Sequence, residues 1–362
     1  MSLRKITNIA ELHKYLHAAL QLEHATIPPY LTALYSLSPG TNSDAARVLR
    51  VVIVEEMLHL TLAANMLNAV GGSPELTRPG FVPQYPTRLP DGETDFEVGI
   101  QAFSREALET FLKIERPARS PEEGSGFVRR PRSEGAVLPT FMHDDDTEMH
   151  FYSIGEFYHE IGRGLKSLHE EMSAQGENLF SGDPSRQITP DFYYSGGGEI
   201  IPVVDLDSAL EAIRLISEQG EGIGGAIYDY EGEISHYYRF QQLVLGRYYQ
   251  KGDEADQPSG EPIAVDWGSA YPVKRNARLD DYPRNSELHA AAVRFGTDYQ
   301  ALLGTLTQAF NGEPGLLEAA VGEMFRIKES ALQLIRNPIP GMDGVNAAPV
   351  FDVRSSEGGD HE

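Results

Sequence analysis

The chain contains no cysteine among its 362 residues. That absence excludes a disulfide framework, a zinc–thiolate site and a thiol nucleophile. Positive charge is scarce, with 30 Lys and Arg against 54 Asp and Glu and a formal net charge of −24. Such an excess repels phosphate backbones and anionic bilayers, which argues against nucleic acid and membrane as partners and leaves a small-molecule substrate. No apolar run reaches the roughly 18 residues that a bilayer-crossing helix needs. The opening Met1-Ser2-Leu3-Arg4-Lys5-Ile6-Thr7-Asn8 lacks the apolar core of a secretory signal, so a cytoplasmic location is expected. Also missing are a phosphate-loop signature, a dinucleotide fingerprint and a Gly-x-Ser-x-Gly elbow. Gly196-Gly197-Gly198 has neither the spacing nor the strand–turn–helix context of a nucleotide loop and reads as a turn.

What is present is an ordinary globular composition with mostly helical periodicity. Asn8 caps a first helix carrying Leu12, Leu16, Leu20 and Ile27 on one face. Pro28-Pro29 falls inside that pattern and deprives the carbonyls of His24 and Ala25 of donors, so the helix either kinks or stops and restarts. After a turn at 38–43, Ser43 or Asp44 caps a second helix through Val48, Val52, Met57, Leu62 and Met66, ended by Gly71-Gly72. Residues 73–145 are proline-rich and read as an insertion with a small β element at 96–100 and a short helix at 105–114. Asp144-Asp145-Asp146 opens a third long helix through Phe151, Ile154, Tyr158, Ile161 and Leu165. Helices at 207–218, from about 231 to 245, at 286–310 and at 314–334 follow. The expected fold is therefore mostly α, a four-helix bundle over 1–250 with the 73–145 insertion. A helical extension at 251–352 packs on it, and a disordered tail follows at 353–362.

The residues richest in chemistry are Glu56 and His59, which lie three apart and so share one helical face. Four-helix carboxylate centres combine one Glu from each of two helices with a Glu-x-x-His from each of the other two. Glu23 supplies a carboxylate on the first helix. Arms of roughly 21 Å from Glu23 to its helix end and 18 Å from the next helix start to Glu56 place both at one level. Glu156 supplies a carboxylate on the third helix, and Glu233-Ile234-Ser235-His236 forms a second Glu-x-x-His. With 34 Glu and 11 His a chance match of that spacing is expected, so the placement on separate helices carries the argument. Glu218 competes with Glu233 for the position facing His236, and the pattern leaves that open. Carboxylates and imidazoles without thiolate suit two iron ions, with manganese as the alternative. Tyr30, Tyr152 and Tyr158 are candidates for the pocket wall, and Arg239 for neutralising a buried Glu or an acidic substrate.

At these residues the chain resembles the ferritin-like domain of iminophenyl-pyruvate dimer synthases, enzymes of violacein- and rebeccamycin-type bisindole biosynthesis. The resemblance rests on Leu22-Glu23-His24-Ala25-Thr26-Ile27-Pro28-Pro29-Tyr30 and Glu55-Glu56-Met57-Leu58-His59 above all. Gly155-Glu156-Phe157-Tyr158, Glu218-Gln219-Gly220-Glu221-Gly222 and His236-Tyr237-Tyr238-Arg239-Phe240 add to it. It implies a ferritin-like bundle with metal held by Glu23, Glu56, His59, Glu156, His236 and one of Glu218 or Glu233. It also implies an enzyme of secondary metabolism that oxidatively couples indole-3-pyruvate imine units, and a di-metal centre of this kind suits an oxidoreductase using oxygen or peroxide. The alternatives are a metal-binding protein without turnover and a partner subunit; a homodimer stays open.

Overall fold

The computed structural model describes residues 6–90, 95–117, 151, 153–194 and 196–351. Two long helices, α1 (Ile9–Ser36) and α2 (Ser43–Ala69), form a tight hairpin, followed by the short α3 (Arg105–Ile114). Next come α4 (Ile154–Ala174), α5 (Leu206–Glu221) and α6 (His236–Leu245), then α7 (Glu287–Ala309) and α8 (Leu316–Ile335). The pair α4 and α5 packs on the hairpin, α4 against α1 and α5 against α2, while α3 and α6 pack on each other and α6 also on α2 and α5. This is the four-helix arrangement that the apolar periodicity predicts. The main core is shared by Leu16 and Leu20 of α1, Val52 of α2, Leu165 of α4, Phe295 of α7 and Leu334 of α8. The last two helices are thus fused to the bundle's core.

Local chemistry fixes where α1 and α4 start. Asn8 caps α1, its side chain accepting from the Glu11 N–H at 2.9 Å. The second helix starts differently from the sequence expectation. Its capping position is Asn42, in a left-handed conformation with φ 49°, and the Asn42 side chain bonds the backbone of Asp266 instead. Ser153 caps α4 through the Glu156 N–H, so that helix opens at Ile154, and Asp144-Asp145-Asp146 lie outside the described residues. The tail at 353–362 and much of the insertion, 118–145, lie outside them too. Among the described residues the small β element reduces to one antiparallel bridge, Thr87 with Val98, closed by bonds of 2.9 and 2.7 Å.

The helix α1 runs unbroken through Pro28 and Pro29. The reason is visible at one of the two carbonyls the prolines release: Tyr85 donates its hydroxyl to Ala25 O at 2.8 Å. This buried phenol lets the helix carry Glu23 and Tyr30 on either side of the prolines in one register. Replacing Tyr85 with Phe strands a buried carbonyl and is expected to destabilise the fold by about 1–3 kcal/mol in chemical denaturation. A change within error would mean that the prolines are accommodated without that bond.

Candidate metal centre

Three helices and one helix end deliver five buried side chains to a common space. Glu23 on α1 accepts a 2.5 Å hydrogen bond from the Tyr158 hydroxyl through Oε1, and its Oε2 lies 3.5 Å from His59 Nδ1. Glu56 on α2 accepts from Thr26 Oγ1 at 2.8 Å, and its other oxygen lies 3.0 Å from His236 Nδ1 and 3.8 Å from His59 Nδ1. Glu115, capping the C-terminus of α3, accepts from the Tyr30 hydroxyl at 2.5 Å and presents its second oxygen 3.4 Å from His236 Nδ1. The result is two groups, Glu23–Glu56–His59 and Glu56–Glu115–His236, with the donor atoms of each within 4.8 Å of one another. Glu56 belongs to both.

The imidazoles are held from behind. His236 Nε2 lies 2.8 Å from Glu55 Oε2, and His59 Nε2 lies 2.9 Å from Gln219 Oε1. A carboxylate only accepts, so Glu55 fixes the His236 proton on Nε2. Gln219 spends its amide N–H on Gly197 O at 2.7 Å, which turns its oxygen to His59 and fixes that proton likewise. Both Nδ1 lone pairs are then directed at carboxylate oxygens. His236 Nδ1 makes no aligned hydrogen bond despite its two close carboxylates. Buried carboxylates converging on these nitrogens need positive charge between them, which a proton on Nδ1 supplies in the metal-free site and a bound cation can supply in its place. The donor set therefore fits a metal with oxygen and nitrogen ligands.

The electrostatics agree. Burial, and then the Glu115 charge, push the Glu56 carboxyl up to about 7. Burial opposes protonation of the two imidazoles, yet carboxylates overcome it: Glu23 raises His59, and Glu115 with Glu55 and Glu56 holds His236 well above its ordinary range. Burial also drives the Tyr30 and Tyr158 hydroxyls well above theirs, reinforced by Glu115 and Glu23 respectively, so both phenols remain donors. The excess of buried negative charge calls for positive charge, and Arg239 meets it only partly, reaching Glu55 at 3.9 Å from behind His236.

Of the residues singled out from the sequence, Glu23, Glu56, His59 and His236 converge, with Tyr30 and Tyr158 bonded to their neighbours. Glu156, Glu218 and Glu233 are not brought into either group. Glu156 sits two residues before the inward Tyr158, about 200° around α4, and is not fully buried. Glu218 is engaged by Arg214 at 2.7 Å, one turn earlier on α5. Glu233 precedes α6, so the three-residue spacing to His236 has no helix to act on; its side chain is 66% exposed and pairs with Arg239 at 3.2 Å. Tyr152 lies outside the described residues. Between the centre and Gly155 is Glu221, whose Oε1 accepts from the Gly155 N–H at 2.7 Å. A Cβ on Gly155 would stand 2.4 Å from the Glu221 carboxylate, so a larger residue there would push that carboxylate aside.

Glu115, Glu55 and Gln219 escaped the sequence reading. A signal for Glu115 exists: Ala107, Leu108, Phe111 and Ile114 form the buried stripe of α3, and Glu115 continues it at helical spacing. An acid buried at the negative end of a helix is electrostatically out of place, which marks it for a counter-charge.

Residues 16–245 match the family model described as Ferritin-like. Among curated proteins the chain is 27% identical to dichlorochromopyrrolate synthase of Lentzea aerocolonigenes, over 83% of this chain and 29% of that one. It is 23% identical to 2-imino-3-(indol-3-yl)propanoate dimerase of Chromobacterium violaceum, over 95% of this chain and 34% of that one. The crystal structure of a ferritin-like protein from Caulobacter vibrioides superposes with a TM-score of 0.63 at 20% identity, covering 96% of this chain and 100% of that one. The chain spans about a third of the length of these two curated relatives.

Proposed function

Because the chain belongs to the Ferritin-like family, with residues 16–245 inside it, we propose that it is a di-iron carboxylate oxidoreductase using oxygen or peroxide. Its substrate in this reading is a small, indole-derived carboxylate of secondary metabolism, as the names of its curated relatives suggest. Manganese is the alternative metal. The observation that carries the reading is the sharing of Glu56 between two donor groups, the arrangement a carboxylate-bridged pair of ions requires.

Glu23 and His59 would hold one ion and Glu115 and His236 the other, with Glu56 between them. Such a pair supplies the capacity to accept electrons from a substrate and pass them to oxygen or peroxide. The chain's own residues do the rest. Glu55 and Gln219 keep both imidazoles in the metal-binding tautomer, and the Tyr30 and Tyr158 hydroxyls and Thr26 orient the three carboxylates. Arg239 offsets the charge behind His236. The wall formed by Ile154, Ile216 and Gly220 keeps water scarce, since the cavity beside the carboxylates is only about 10 Å³. That closeness favours the second reading, a metal-holding protein without turnover.

The two are separated by one experiment. The purified chain is loaded anaerobically with ferrous iron, freed of excess metal and mixed with oxygen or peroxide and 2-imino-3-(indol-3-yl)propanoate generated in place. The expected result is about two irons per chain, imine-dependent consumption of the oxidant and a coupled product by mass spectrometry. Iron binding without imine-dependent consumption selects the second reading, and absence of iron binding overturns both.

A further inference from the structure

Beyond the bundle's centre, a groove of about 620 Å³ opens where α8 crosses the α1–α2 hairpin near its turn. One stripe of α8 forms a wall: Val321, Phe325, Lys328, Leu332 and Arg336 recur at three- and four-residue spacing and so face the same way. The opposite wall is Leu34 of α1 with Ile53 and Met57 of α2. Phe325 and Tyr194, both on the rim, are 65% and 60% exposed.

The charge of the groove is the reverse of the chain's. None of its lining residues is acidic, in a protein with 54 acids, whereas Arg50, Lys328 and Arg336 all lie along it. Among the described residues none of these three is ion-paired with an acid. Lys328 and Arg336 are two turns apart, about 12 Å along α8. Three cations without an acid partner among the described residues, set around an apolar trough, suit an organic anion with an apolar body.

We propose that this groove binds an amphipathic carboxylate, its body packed on Leu34, Ile53, Met57 and Phe325 and its charge met by Arg50, Lys328 and Arg336. The volume matches a small molecule and lies within the usual range for ligand pockets. Two sources share the chemistry, aromatic carboxylates and acyl carboxylates. The inference does not depend on the metal centre, since no lining residue of the groove belongs to either donor group.

The test uses the full chain and three probes in calorimetry: indole-3-propionate, dodecanoate and the neutral indole-3-propanamide. Saturable binding of either carboxylate is expected, with the amide at least tenfold weaker and binding weakened by salt. In the Arg50→Gln, Lys328→Gln, Arg336→Gln triple variant, whose altered side chains are all exposed, the carboxylate's affinity should fall at least tenfold while the melting temperature holds. The same affinity in a Glu56→Ala variant distinguishes the groove from direct ligation at the centre. Binding of the indole probe alone marks the aromatic source, of dodecanoate alone the acyl source, and both support the proposal. Absence of saturable binding, equal affinity for the amide, or equal affinity in the triple variant overturns it. So does a dimer that forms through this face, seen by sedimentation, and that neither carboxylate dissociates.

Discussion

Changing Glu56 to alanine is expected to empty both halves of the centre at once. The metal content should fall from about two ions per chain to nearly none, because each ion loses one of its three protein ligands and the carboxylate that bridges them. Glu23→Ala and Glu115→Ala each touch one donor group only, and each should retain about one ion. Elemental analysis after anaerobic loading reads this directly. A second readout separates ligand loss from misfolding. Without metal, Glu56 is a buried carboxyl that burial and the nearby Glu115 hold up at about 7. Removing it relieves that repulsion, so the metal-free variant should melt no lower than the metal-free parent. Stable, folded Glu56→Ala protein that still holds two ions would defeat the shared-carboxylate reading.

A second large effect is expected on acidification, from a group outside the two donor groups. His17 on α1 is pushed down to about 4 by burial first, then by the charges of Arg78 and His13, with Glu75 pulling the other way. The unfolded chain takes up this proton near the ordinary histidine value of 6.5, while the native chain refuses it until about 4. Between those values the unfolded state binds more protons, so stability falls as pH falls, and the loss is complete below about 4. The slope is about 1.4 kcal/mol per pH unit for one fully withheld proton. With partial solvent access the total is on the order of 2 to 3 kcal/mol. His17→Gln removes the titration, and the stability difference between parent and variant should shift by that amount between pH 7 and pH 4. Differencing against the variant cancels the opposite titration of Glu56. A pH-independent difference would show that His17 protonates alike in both states.

The kind of protein was legible from the chain because it rests on repetition. Apolar residues every three or four positions make helices wherever they fall, and a helix brings Glu56 and His59 to one face without help from the rest of the molecule. Matching arm lengths likewise bring Glu23 level with Glu56 across a hairpin whose turn is short. Those are local facts, and local spacing suffices for them. His236 could be picked for its type and for the aromatic helix it opens, although the partner spacing used to find it had no helix beneath it.

The remaining members of the site depend on contacts between segments far apart in the chain, which no spacing encodes. Glu115 reaches His236 from the end of α3 only because α3 and α6 pack together, and Glu55 and Gln219 acquire their imidazole partners only when α2, α5 and α6 close on one another. Glu156 and Glu218 show the converse: each has the right residue type on the right helix, but side-chain direction turned them elsewhere. Rotation of a helix about its axis is set by which face its neighbours bury, and that is a property of the assembled core. The sequence by itself determined a helical bundle with carboxylate and imidazole groups inside it. Tertiary packing alone decided which carboxylates meet, because a rotation of one residue, about 100°, separates a ligand from a surface charge.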